Sequence, residues 1–233
     1  MRTPMVLALF AAVALPGPTR AAPTVYTSSI AFLAALPGPA TTAGFDGLPS
    51  GHVVASGSVA DGITFSHVLG GVDLIVTPGS LSGGGGSFAT TSAPHFLGTS
   101  DLDVLLDGDD LSLGFAASNA VGLFVITAET PGVTLFSGDI RLTARGAVAS
   151  LNVNDVHATL ADGSRVFFLG VIDAGSTFGS ASLGTFGAGG QFAFNVDDVV
   201  TALPEPGIGG ATASGLLALA AARPRRRSTK ERP

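Results

Sequence analysis

The chain reads as an all-β protein, an antiparallel two-sheet β-sandwich with one short helix near its N-terminal end. Three observations lead there. Short runs rich in Val, Phe, Leu and Thr recur along the sequence, and several alternate apolar with polar residues as half-buried strands do. Gly, Pro, Asp and Asn break these runs at short intervals, and the 233 residues include 33 glycines and 14 prolines. Between the runs no stretch repeats its apolar residues at the helical period, so no crossover helices are expected and the strands should pair antiparallel.

The helix comes first. Thr27-Ser28-Ser29 supplies the cap, Ile30 to Leu36 the apolar turns, and Pro37-Gly38-Pro39 the stop. Its apolar residues lie nearly all round, which predicts that it packs across one end of the sheets. Strand candidates follow at 43–46, 62–67, 72–76, 95–98 and 103–106. The Gly83 to Gly86 tract among them reads as a flexible connection. Leu111 to Phe115 alternates cleanly, with Leu111, Leu113 and Phe115 on one face. Val121 to Ile126 is continuously apolar, as a central strand covered on both faces would be. Further candidates lie at 134–136, 140–143, 156–160, 165–172 and 192–196. About ten strands at this spacing point to a jelly roll, with an immunoglobulin-like winding as the alternative.

The two ends stand apart from this domain. Met1-Arg2, the apolar stretch Met5 to Leu15 and the small residues Ala21-Ala22 have the layout of a secretory signal peptide over 1–22. Residues 204–233 form a tail, which leaves 23–203 as one domain long enough to bury a core of its own. The chain has no cysteine, which excludes disulfides, thiol catalysis and thiolate metal sites. Within 23–203 only Arg141, Arg145 and Arg165 stand against fourteen Asp and one Glu, a formal charge of −12. Such a surface repels phosphate backbones, so nucleic acid is not an expected partner.

Little in the domain suggests catalysis. His52, His67, His95 and His157 have no metal-ligand spacing, and no G-x-S-x-G elbow occurs. With Tyr26 the one tyrosine and no tryptophan, the usual aromatic platform for sugar rings is missing. The chemistry is acidic: Asp101, Asp103, Asp107, Asp109 and Asp110 fall within ten residues, with Asp107-Gly108-Asp109 reading as a hairpin turn. Asp197 and Asp198 form a second group, and Asp46 follows the first strand candidate. Calcium takes six to eight oxygens from such loops. An ion clamping the first strand to the last would use Asp46, Asp197 and Asp198; solvated turn acids are the alternative.

The tail has three parts in order. Pro204-Glu205-Pro206 is a rigid break, Ile208 to Ala222 is an uncharged apolar run of fifteen residues, and Arg223, Arg225, Arg226 and Arg227 end it. That run is shorter than the roughly 20 residues that span a bilayer comfortably, so it suits transient insertion. Order and chemistry resemble the PEP-CTERM sorting signal of Gram-negative bacteria. The resemblance implies that an exosortase-type membrane protease recognises and processes the tail, with brief inner-membrane anchoring. The domain itself resembles the lectin-like sandwiches that precede such tails, through GFDGLP (44–49), LSLGFAASNAVGLFV (111–125) and FNVDDVV (194–200). The expectation is therefore an exported, non-enzymatic protein of the cell surface or extracellular matrix, associated with exopolysaccharide or biofilm. A calcium-dependent carbohydrate-binding module and a secreted hydrolase are the alternatives.

Overall fold

A computed structural model describes residues 21–78, 91–92, 94–128, 134–160, 163–186 and 192–203. The elements in chain order are β1 (Thr24–Tyr26), α1 (Ser29–Ala34), β2 (Ala40–Ala43), β3 (Val53–Val54), β4 (Ser58–Ala60), β5 (Ile63–Val68), β6 (Leu74–Pro78), β7 (His95–Thr99) and β8 (Leu105–Leu106). They continue with β9 (Asp110–Ser118), β10 (Ala120–Ala128), β11 (Ile140–Ala144), β12 (Ala147–Ser150), β13 (Ala158–Thr159), β14 (Arg165–Ile172), β15 (Phe178–Thr185) and β16 (Ala193–Ala202). Among the described residues all pairings are antiparallel, in a ten-stranded sheet and a six-stranded one. The frame of the larger sheet is β7-β16-β10-β14, and that of the smaller is β9-β15-β11-β12. Apart from the β11–β12 and β13–β14 hairpins, the chain passes from one sheet to the other at each step from β7 and β8 onward. This is jelly-roll winding, as expected.

The core lies between the sheets. Val121, Leu123 and Val125 of β10 and Phe167, Leu169 and Val171 of β14 face Leu111 and Leu113 of β9 and Leu183 of β15. The other face of β10 and β14 is also covered, by two smaller apolar clusters around Phe32 and around Phe96. This explains why 121–126 carries no alternation.

Helix α1 starts where its cap predicts, with Ala31 N–H donating to Ser28 Oγ at 3.3 Å. Its position differs from the expectation. It lies on the outer face of the larger sheet, not across an end, because two paired glycines make a seat for Phe32. Gly122 on β10 stands opposite Gly170 on β14. A Cβ on Gly170 would fall 2.6 Å from the Phe32 ring, and one on Gly122 would fall 2.5 Å from Phe168. Ile30 and Leu33 point to solvent.

Other expectations need correction. Residues 134–136 form a loop, and the first expected strand is β2, which ends at Ala43, where 43–46 was expected to begin. The turn at Asp107–Asp109 is no hairpin: β8 before it pairs with β16, and β9 after it belongs to the other sheet. Strand β15 is a framework strand that the sequence did not announce. Its apolar residues Phe178, Ala181 and Leu183 are separated by Gly and Ser, so the alternation is faint. The solvent face of the smaller sheet is built from such residues, with Ser66, Ser112, Ser182 and Thr143 side by side in one row across four strands.

Candidate functional site

Strand β16 carries an irregularity that builds the acidic site. Gly122 of β10 pairs with Val200, but Phe124 pairs with Asp197, so one extra residue is inserted in β16. Asp198 adopts a left-handed φ of 47°. Before this bulge Phe194 and Val196 face the core; after it Val199 does. The inserted residue resets the alternation so that both halves of the strand bury their apolar side.

The same point is a gap in the neighbouring strands. Along its second edge β16 pairs with β7 at Val196 and with β2 from Val199 to Ala202. The segments 44–46, 91–92 and 94–95 meet there, with backbone N–H groups that no ladder satisfies. The aspartates satisfy them. Asp197 Oδ2 accepts from Thr91 N–H at 2.9 Å, Thr91 Oγ1 at 2.7 Å and Ser92 N–H at 3.2 Å, while Oδ1 accepts from Asp198 N–H at 2.8 Å. Asp198 accepts from Ser92 Oγ at 3.0 Å and lies 3.1 Å from Thr91 Oγ1. Asp46 Oδ1 accepts from His95 N–H at 3.0 Å, and Asp61 Oδ2 from Phe45 N–H at 3.1 Å. Phe45, fully buried, has a φ of 60°, which an aromatic residue rarely adopts and which marks strain at this junction.

The three aspartates nominated from the sequence therefore do converge, and they join the first strands to the last. Asp197 is wholly buried. Burial, and after it the adjacent Asp198 charge, pushes its carboxyl up to about 7, against the pull of the bonds from Thr91, Ser92 and Asp198 N–H. Thr91 Oγ1 has one hydrogen and two carboxylates within reach.

As a calcium site the arrangement is incomplete. All four hydrogen bonds of Asp197 come from donors, so it is engaged as a clamp. Asp198 Oδ1, Ser92 Oγ and Asp46 Oδ2 do surround the space beside Gly44, lying 3.1, 3.4 and 3.6 Å from where its Cβ would be. These are hard oxygens, but they are three of the six to eight that calcium takes. Among the described residues no three Asp, Glu, His or Cys side chains are placed to hold a metal. Thr91, Ser92 and Asp61 had no signal in the sequence, since their roles come from where distant segments meet.

The remaining acids of the 101–110 group bind donors elsewhere, two of them nearby in the chain and two on other segments. Asp103 accepts from Thr77 Oγ1, Asp101 from Thr99 Oγ1, Asp109 from Leu106 N–H and Asp110 from Thr185 N–H. A serine and a histidine do meet, Ser29 Oγ and His157 Nδ1 at 3.2 Å. Ser29 is buried, however, and Asp155 binds Thr27 and Asn152 in place of the imidazole, so no nucleophilic triad is assembled there. Pro204, Glu205, Pro206, Arg223, Arg225, Arg226 and Arg227, expected from the sequence to direct sorting, lie outside the described residues. Among those described, no helix is long and apolar enough to cross a membrane.

No protein-family model matches the chain. No curated protein matches it either. Among solved structures, the K2 cleaved adhesin domain of Lys-gingipain is similar, with a TM-score of 0.41 and 14% identity over 70% of this chain and 98% of that one. Similarity at this level says nothing about a ligand or an activity here.

Proposed function

We propose that this is an exported, non-enzymatic jelly-roll protein of the bacterial cell surface or extracellular matrix, sorted through its C-terminal tail. In this reading the signal peptide directs export, and the apolar run 208–222 pauses in the inner membrane with the arginines inside. An exosortase-type protease then cleaves near Pro204-Glu205-Pro206 and releases the sandwich among the exopolysaccharides. The carrying observation is the order of break, apolar run and arginines in the sequence. The fold is compatible with it. Strand β16, central to the larger sheet, ends at Ala202, and Leu203 beyond it is half exposed. Cleavage two or more residues further on leaves every described strand whole.

Replacing Pro204, Glu205 and Pro206 together by alanine in the native host tests this. The variant should remain at full length in the membrane fraction while the parent is shortened and released. Equal release of both would refute the reading.

The trio around Gly44 favours a second reading, in which calcium completes the junction. It predicts that calcium raises the Tm of the purified protein by several degrees over chelator, and that Asp46→Ala and Asp198→Ala abolish the rise. Identical melting with and without calcium would dismiss it.

A further inference from the structure

The solvent face of the smaller sheet holds a group of residues that the sorting tail and the acidic junction do not use. Phe186, just after β15, is 57% exposed, and Phe136 is 59% exposed. Both are tied to Asp139: Phe136 N–H donates to its carboxylate at 2.7 Å, and Phe186 N–H to its carbonyl at 2.7 Å. The Phe186 ring is held in place. It lies against Gly184, where a Cβ would come within 3.3 Å of it, and the Arg141 guanidinium sits 4.2 Å from its centroid. Arg141 is itself fixed by donating to Gly138 O at 2.8 Å. Gly184 pairs with Arg141 on one side and approaches Asp110 on the other. Asp110 spends Oδ1 on Thr185 and lines an open cleft of about 510 Å³ with Ser56, Ser66, Val68, Gly108 and Ser112 among its walls.

We propose that this face, from Phe186 through Asp110 into the serine-lined cleft, binds a neutral glycan. An exposed aromatic ring, pinned so that stacking on it costs no further ordering, offers a surface for the C–H face of a pyranose. Beside it are a carboxylate with an uncommitted oxygen, a guanidinium, and the row of Ser66, Ser112, Ser182 and Thr143, a mixture of donors and acceptors suited to sugar hydroxyls. The face is locally balanced, with Asp110 against Arg141, while the domain carries −12 overall. An anionic polymer is repelled and a neutral one is not. A protein partner fits less well, because small hydroxyl and glycine residues give no apolar centre of the size that stable interfaces have. The inference rests on the reading of an exported protein that works among polysaccharides. It also replaces the expectation, drawn from the absence of tryptophan, that no stacking platform exists.

The test is affinity electrophoresis of the purified mature protein through gels holding dextran, galactomannan, xyloglucan or alginate. At least one neutral polymer should retard it and alginate should not. Phe186→Ala and Asp110→Ala should each weaken retardation about tenfold or more. Both residues are exposed, and unchanged thermal melting would show that the fold survives. No retardation by any of the three neutral polymers overturns the proposal, as does retardation that Phe186→Ala leaves intact. Retardation by alginate alone overturns the neutral assignment. If Phe186→Ala instead abolishes self-association seen by sedimentation, the face is an interface between copies and the proposal fails. A protein that loses its tail but binds no glycan refutes this inference alone.

Discussion

Asp197→Asn removes the ionisation of the buried carboxyl: the amide keeps the shape and an acceptor oxygen for Thr91 and Ser92 but takes no charge. It turns its NH2 toward Asp198 N–H, a loss that is the same at every pH, so the pH slope and not the absolute Tm reads the ionisation. Moving a carboxyl from 3.8 to about 7 corresponds to about 4 kcal/mol between its protonation states. The sign follows from proton counts. Between pH about 4 and about 7 folded Asp197 holds a proton that the unfolded chain has released, so stability is greatest at the low end and falls as pH rises through that window. At about 2–4 °C per kcal/mol for a domain of this size, the Tm should fall by up to about 8–16 °C between pH 4 and pH 8. Melting followed by circular dichroism at pH 4, 5, 6, 7 and 8 measures it. In Asp197→Asn most of the fall should vanish, because the raised Asp109 carboxyl and the lowered Asp173 carboxyl act with opposite signs on what is left. Asp198→Asn removes the second cause of the shift and should move the fall to lower pH. Equal pH slopes in parent and Asp197→Asn would refute the reasoning, and so would a parent Tm that rises from pH 5 to pH 8.

Two further outcomes follow from the packing of α1 and from the junction. Gly170→Ala should destabilise the protein by about 1–3 kcal/mol, since its methyl group would meet the Phe32 ring. Hydrogen exchange should show the loss concentrated in 29–35, whereas uniform loss across both sheets would contradict the proposed seat. Ser92→Ala removes a hydroxyl that donates to Asp198 and leaves the backbone bond to Asp197, so it should cost about 0.5–1.5 kcal/mol in urea unfolding. A cost above about 4 kcal/mol would mean that the hydroxyl does more than this bond, as a cation ligand would.

The sandwich was legible wherever apolar spacing was strong. Residues 111–115, 121–126, 140–143 and 165–172 all became strands because two hydrophobic faces, or one, demanded it. Strand β15 was hidden by its Ser and Gly residues, which serve the solvent face and dilute the alternation. The helix was visible from Ser28 and the proline stop, but its seat depends on Gly122 meeting Gly170, a coincidence of two distant strands that no local pattern reveals. At the site, carboxylates at Asp46, Asp197 and Asp198 could be picked from the sequence because they stand at the ends of the first and last strand candidates, although the structure carries β16 on through Asp197 and Asp198 to Ala202 and ends β2 at Ala43. Their partners could not. Thr91 and Ser92 matter through backbone N–H groups, which every residue has. The Phe186 platform was equally hidden, since its exposure and its contact with Arg141 exist only once β11 and β15 pair.

The central claim is that the tail is a processed sorting signal, and the intact mass of the mature protein from its own host tests it most directly. The account predicts a chain that begins after Ala21 or Ala22 and ends within or just beside Pro204-Glu205-Pro206. A mature protein that still carries the apolar run and Arg223 to Arg227 would contradict it.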